Sequence, residues 1–256
     1  MEVVIVPSPV AAGRLVADIL EGYVRAGATL GLATGSSPEP AYDELVRRHR
    51  EEGLDFGRCR AFLLDEYVGL AADHPQAYRQ VIRRALADRV GLTDVHGPDG
   101  TASDLPAEAA AYEEAIRAAG GIDVQLVGIG SDGHLGFNEP GSSLASRTRV
   151  KTLTERTRRD NARFFGSLEE VPHHVLTQGL GTIRDARHVV LVATGVAKAE
   201  AVAGAVEGPV SAFCPASVLQ LHPHVTAVVD EAAASRLRLA GYYRFAHEHK
   251  PDWQGY

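Results

Sequence analysis

Cysteine is nearly absent. Cys59 and Cys214 are the only two in 256 residues, far apart and outside any CxxC spacing. That excludes a disulfide framework and a cysteine-based zinc site, and it suits a reducing cytoplasm. Positive charge is also scarce: 26 Lys and Arg stand against 33 Asp and Glu, for a formal net charge of -7. A nucleic-acid binder would show a basic face, so that class is set aside. No apolar run reaches membrane-spanning length. The segment from Met1 to Val6 opens with an acid and is interrupted by Pro7 and Pro9, unlike an export signal. The turn at Thr34–Pro38 has neither the lysine of GxxxxGK[ST] nor GxGxxG, and no HExxH spacing occurs, which removes the nucleotide P-loop and the dinucleotide fingerprint at that turn and the zinc-protease helix. No metal and no cofactor is expected. The length fits one globular domain carrying a lid.

What is present is a regular alternation of apolar strands and amphipathic helices. Strands are expected at Val3–Val6, Ala28–Thr34, Arg60–Leu64, Asp123–Gly130, Val189–Ala193 and Thr226–Val229. Helices are expected from Pro9 to about Ala26, Glu39 to about Glu52, His74–Pro75 to about Val90, Pro106 to Ala119, Ala197 to Val206 and Glu231 to about His249. Val150–Thr154 reads as a short extended piece, and Glu155–Phe165 as charged and amphipathic. Strands alternating with helices at crossover spacing predict an α/β fold, a mostly parallel sheet with helices on both faces. Polar, Gly-rich turns follow Thr34, Leu64 and Gly128, and in one parallel sheet all three can meet at the same edge.

Each turn carries chemistry. Thr34, Gly35, Ser36 and Ser37 lie between a strand and a helix, where backbone N–H groups and hydroxyls can hold a phosphate or carboxylate; an ordinary serine-capped turn is the plainer alternative. Asp65 and Glu66 end an apolar strand and point in opposite directions, so at most one faces a cleft. Asp65 is the choice, and the other acid can cap the next helix. Asp132, His134 and Glu139 crowd one Gly-rich loop, a histidine flanked by the carboxylates that would set its tautomer and its proton affinity. The paired histidines at 173–174, 222/224 and 247/249 look incidental and surface-exposed. Arg163 and Lys198 are the cations available to close an anion site. Arg147, Arg149, Lys151, Arg156, Arg158 and Arg159 form a basic patch in an acidic chain, suited to a second anion or to a subunit contact. Together these groups suit proton transfer on a small phosphorylated metabolite.

Five motifs, Leu32–Pro38, Leu64–Leu70, Gly130–Pro140, Ser142–Arg149 and Pro215–His222, resemble the glucosamine-6-phosphate deaminase family in order and spacing, over essentially the whole chain. A related lactonase family, 6-phosphogluconolactonase, shares the Asp-Gly-His turn but does not continue as Phe137-Asn138-Glu139-Pro140. The resemblance implies a Rossmann-like fold and conversion of glucosamine 6-phosphate to fructose 6-phosphate and ammonia, in amino-sugar catabolism. His134 would open the sugar ring, tuned by Asp132 and Glu139, and Asp65 would move a proton between C2 and C1. Thr34 to Ser37 with Arg163 and Lys198 would hold the phosphate, and Gly128 would approach the sugar. Residues 153–176 would form a mobile helical lid. Some relatives are hexamers activated by N-acetylglucosamine 6-phosphate, and Ser142, Ser143, Arg149 and Lys151 match that second site. Leu63 and Arg244 depart from the pattern, standing where relatives often carry Asn and a regulated relative carries Tyr. A non-catalytic sugar-phosphate sensor would tolerate loss of the acid and base groups, yet all four are present.

Overall fold

Local chemistry delimits the first elements. Ser8 accepts the Ala11 N–H (3.2 Å) as an N-cap, Pro9 occupies the first helical turn, and Gly27 closes the helix at φ 71°. The computed structural model describes every residue except Asp252. In chain order the strands and α-helices are β1 (Glu2–Val6), α1 (Pro9–Ala26), β2 (Thr29–Leu32), α2 (Glu39–Glu52), β3 (Arg60–Leu63), β4 (Asp65–Tyr67), α3 (Tyr78–Ile82) and α4 (Asp88–Val90). Then come β5 (Asp94–His96), α5 (Leu105–Ala118), β6 (Val124–Val127), β7 (Arg149–Thr152), α6 (Glu155–Asn161) and β8 (His174–Thr177). The chain finishes with α7 (Leu180–Arg184), β9 (His188–Ala193), α8 (Ala199–Val206), β10 (Val225–Asp230) and α9 (Ala240–Glu248).

The described residues form a seven-stranded, all-parallel sheet in the order β1-β10-β9-β6-β2-β3-β5. Both faces are covered, as the continuous apolar strands require. In β9, Val190 and Val192 enter the core beneath α1 and α2, while Val189, Leu191 and Ala193 enter the core beneath α5 and α8. From β2 the chain moves outward through β3 to β5, and from β6 it moves the other way through β9 to β10. β2 and β6 are neighbours, so the order reverses between them, and the crevice at their carboxyl ends is where such sheets bind ligands.

Three features differ from the sequence reading. The chain leaves the main sheet after Leu63 and enters a second, three-stranded antiparallel sheet, β4-β8-β7, which the sequence pattern did not announce. The helix expected from His74 begins at Tyr78 and passes through a π-helical stretch at Arg83–Ala87. The closing helix is broken: a 3-10 turn at Ala233–Arg236 precedes α9, because Glu207 accepts the Arg238 N–H (2.9 Å) and the Leu239 N–H (2.8 Å) and pins the break.

Candidate active site

The end of β3 delivers the first acid. Leu64 still pairs with the main sheet through its N–H to Leu32 O (3.0 Å), and one residue later Asp65 is paired with Thr177 of the small sheet. The two adjacent acids then part. Glu66 accepts the N–H groups of Tyr67 (2.9 Å), Tyr78 (2.9 Å) and Arg79 (3.0 Å), capping α3 and explaining where that helix starts. Asp65 is buried and accepts no hydrogen bond from the described residues. Burial, and then the charge of Glu66, push its carboxyl up to about 8, with His134 opposing. A group so placed gains or loses a proton near neutral pH, as a general base must.

β6 delivers the second cluster. Its loop turns tightly, with Gly130 accepting the Gly133 N–H and donating to His134 O. A Cβ on Gly130 would lie 2.3–2.4 Å from three ring atoms of His134, so the imidazole can seat here only over glycine. His134 Nδ1 lies 2.8 Å from Asp132 Oδ1 and 3.5 Å from Glu139 Oε2, within ion-pair range of both but aligned for a hydrogen bond with neither. Burial alone would depress this imidazole; the two carboxylates outweigh it and raise it to about 9, while the same pairing holds Asp132 well below the usual carboxylate range. Donor atoms of Asp132, His134 and Glu139 fall within 4.8 Å of one another. An imidazole nitrogen turned toward two carboxylates is an arrangement that can share a proton.

The turn at Thr34–Ser37 completes the crevice. Gly35 adopts φ 110°, and none of the backbone N–H groups from Thr34 to Ser37 donates to another described residue. Ser37 is buried, with Oγ 3.4 Å from Thr194 Oγ1 at the end of β9. A Cβ on Gly128 would meet open space, so that position borders the crevice rather than packed protein. Lys198 sits in the 3-10 turn before α8, where burial lowers its ammonium and Asp160, Arg163, Asp132 and Arg156 all act on it. Arg163 is thus in electrostatic reach of Lys198, but it is exposed, and its guanidinium stacks on Phe164 at 4.6 Å rather than on the turn.

The remaining expected residues lie to one side. Arg149 is half-buried with no carboxylate partner among the described residues; it donates to Asn138 Oδ1 (2.9 Å), beside Glu139. Ser142 is buried with an unpaired Oγ, Ser143 is exposed, and Lys151 lies on β7. The basic patch is divided: Arg147 pairs with Glu113 (2.6 Å) and Asp185 (2.6 Å), Arg159 with Glu155, and Arg158 donates to the carbonyls of Leu168 and Val171. A cavity of about 720 Å³ lies here, between α5 and β7, away from the acid cluster.

Sequence reasoning missed several contributors. Asn138 is buried and ties the loop to Leu135 O (2.9 Å) and Gln178 O (2.8 Å). Thr154 and Thr157 both donate to Glu139; a threonine directly before the charged helix was a readable N-cap signal, although its second partner was not. One of the paired histidines was misjudged, although its partner His224 is exposed as expected. His222 is buried, donating from Nε2 to Ala186 O (2.7 Å) and accepting the His224 N–H at Nδ1. His224 stacks on the buried His188, which the pattern did not mark at all.

The chain matches a family model described as glucosamine-6-phosphate isomerases/6-phosphogluconolactonase over residues 10–228. It therefore belongs to that sugar-phosphate isomerase and lactonase family. Within it, the chain is 66% identical to a glucosamine-6-phosphate deaminase of Arthrobacter sp. (strain FB24) and 59% identical to one of Streptomyces coelicolor, each over the full length of both chains. A solved monomeric glucosamine-6-phosphate deaminase superposes with a TM-score of 0.90 at 40% identity, over 92% of this chain and all of that one. The 6-phosphogluconolactonase of Trypanosoma brucei shares the fold, with a TM-score of 0.71 at 22% identity over 92% of this chain and 98% of its own.

Proposed function

We propose that this chain is a glucosamine-6-phosphate deaminase, converting glucosamine 6-phosphate and water to fructose 6-phosphate and ammonia. The observation that carries the reading is the meeting, just beyond the carboxyl ends of the adjacent strands β6, β2 and β3, of the Asp132–His134–Glu139 cluster, an N–H-rich turn and the unpartnered buried carboxylate of Asp65. The full-length likeness to named deaminases supports it. The phosphate binds the N–H groups of Thr34 to Ser37, with Lys198 and, once the lid has closed, Arg163 supplying positive charge. Gly128 leaves room for the sugar. His134, kept protonated by Asp132 and Glu139, gives its proton to the ring oxygen as the C1–O bond breaks and is reprotonated from the C1 hydroxyl, opening the ring. Asp65 then lifts the proton from C2 and delivers it to C1. Water adds to the resulting C2 imine, the C–N bond breaks, and ammonia leaves. Residues 153–173, holding α6 and the following 3-10 turn, act as the lid that excludes water and brings Arg163 inward; residues 174–176 belong to β8 and stay with the sheet.

The reading places the enzyme in the cytoplasm, in keeping with two free cysteines and, among the described residues, no helix long and apolar enough to cross a membrane. Ser142, Ser143, Arg149 and Lys151 are proposed as an activator site for N-acetylglucosamine 6-phosphate. The guanidinium of Arg149, which has no carboxylate partner among the described residues, and the unpaired hydroxyl of Ser142 support a second anion there, and association of subunits would complete it. The discriminating assay offers purified protein glucosamine 6-phosphate and, separately, 6-phosphogluconolactone. Ammonia and fructose 6-phosphate are expected from the first. Lactone hydrolysis without ammonia release would overturn the reading in favour of the lactonase.

A further inference from the structure

Glu139 faces two ways. Its Oε1 is held by α6: Thr157 Oγ1 donates at 2.6 Å, and the N–H and hydroxyl of Thr154 approach at 3.3 Å each. Its Oε2 is buried, receives no hydrogen bond from the described residues, and lies 3.5 Å from His134 Nδ1. The last torsion of a glutamate is broad and nearly two-fold, so Oε2 keeps this direction only if something fixes Oε1. Thr157 is the shortest and most buried of the three contacts. A threonine within a helix ordinarily turns its hydroxyl back to the carbonyl four residues earlier or out to solvent. Here it reaches instead to a carboxylate from another segment, and the N–H of Thr157 is already satisfied by Thr154 Oγ1 (3.1 Å). Within the helix the Thr157 hydroxyl accepts from the N-cap hydroxyl of Thr154 (3.0 Å), which leaves its own proton for Glu139.

We propose that Thr157 is a positioning residue of the active site: its hydroxyl holds one oxygen of Glu139 so that the other faces His134. Hydrogen bonds of this kind lock the rotamers of the groups that carry the chemistry. The inference rests on the reading of His134 as the acid/base of the reaction. The charged and titratable groups around that imidazole are Asp132 and Glu139 from its own loop, Asp65 from β4, and Lys198 and Cys214, which adjoin Asp132. Glu139 is one of the two carboxylates that raise His134, so a misdirected Glu139 leaves an imidazole that gives up its proton at lower pH.

The test follows the His134 imidazole by NMR, identified as the resonance missing from His134→Gln, alongside the pH profile of kcat/KM. Thr157→Val keeps the shape and removes the donor. It is expected to lower the His134 midpoint, and the matching limb of the profile, by about half to one pH unit. The loss of rate should be about tenfold and should fall mainly on kcat, since Thr157 makes no hydrogen bond to the phosphate turn or to Lys198. Thr157→Ala carries the same expectation if valine is poorly accommodated, and Thr157→Ser restores wild-type behaviour. In a Glu139→Gln background, Thr157→Val should add no further shift, because both changes act through one carboxylate. A wild-type midpoint in both Thr157→Val and Thr157→Ala, or fully additive shifts in the Glu139→Gln background, would overturn the proposal. The titration needs no turnover, so it remains readable if wild-type protein releases no ammonia, a result that would instead fault the functional reading.

Discussion

The parallel sheet carries a histidine at each end, and the two are tuned in opposite directions. At the carboxyl end, His134 faces Asp132 and Glu139 and is raised to about 9. At the amino end, His188 starts β9, is fully buried, and is lowered to about 4, first by burial and then by His224, His222 and Lys250. Its ring stacks on His224 at 3.7 Å between centroids, with Tyr23 OH 3.0 Å from Nδ1 and Thr226 Oγ1 3.0 Å from Nε2. Both nitrogens are occupied by neutral partners, and no carboxylate repays the cost of charging the ring. Burial alone therefore does not make a histidine functional; the sign of its neighbours does. One end of the sheet is built to hold a proton and the other to refuse one.

The largest effect that can sharpen this contrast is at Asp65. Asp65→Asn should lower turnover by about three orders of magnitude or more while sparing substrate binding, because it removes the proposed base and keeps the shape. The same change should stabilise the fold. A raised carboxyl means that the native state binds more protons than the unfolded chain above pH 3.8, so its cost grows as pH rises toward about 8. Removing that cost should add about 1–4 kcal/mol near pH 7, read from urea unfolding. Wild-type rates in this variant would remove Asp65 from its role.

Next in size is the exchange of effects between the two histidines. His134→Gln should cost about two to four orders of magnitude in kcat/KM. His188→Gln should leave the rate intact and lower unfolding free energy by about 1–3 kcal/mol, through lost stacking and hydrogen bonds. Matching losses of rate from both variants would break the comparison.

A smaller effect appears in the pH dependence of stability. Below pH 6.5 the unfolded chain protonates its histidines while buried His188 resists until about 4. Stability is therefore lost as pH falls through that window, by up to about 2–3 kcal/mol from this residue. His134 has the opposite sign: its contribution is complete below 6.5 and disappears as pH rises through about 9. Unfolding midpoints of His188→Gln should fall less steeply between pH 6.5 and 4 than those of wild-type protein. The smallest change expected is Glu66→Gln, a loss of about 1–2 kcal/mol in stability from weakened capping of α3, with a rate within a few-fold of wild type.

Much of the frame was legible because local signals agreed with the tertiary outcome. Pro9 and Gly27 bound α1, Gly53 ends α2, and the buried strands read as short apolar runs. The three polar turns do converge, since β6, β2 and β3 are neighbours. The small sheet was hidden because β8 is four residues long and opens on exposed His174, a pattern without alternation or length to announce it. The broken closing helix was hidden because a carboxylate distant in sequence, Glu207, decides it. His188 was hidden for a related reason: its partners come from α1, β10 and the loop before β10, and only the fold brings them together. Residues whose meaning lies in local spacing were readable, and those whose meaning lies in long-range partners were not.

The most direct measurement is an NMR titration of both imidazoles in one sample, each assigned by its own Gln variant. His134 should remain protonated to about pH 9 and His188 should remain neutral down to about pH 4. Midpoints that coincide near the ordinary value of about 6.5, or that fall in the reverse order, would contradict the account.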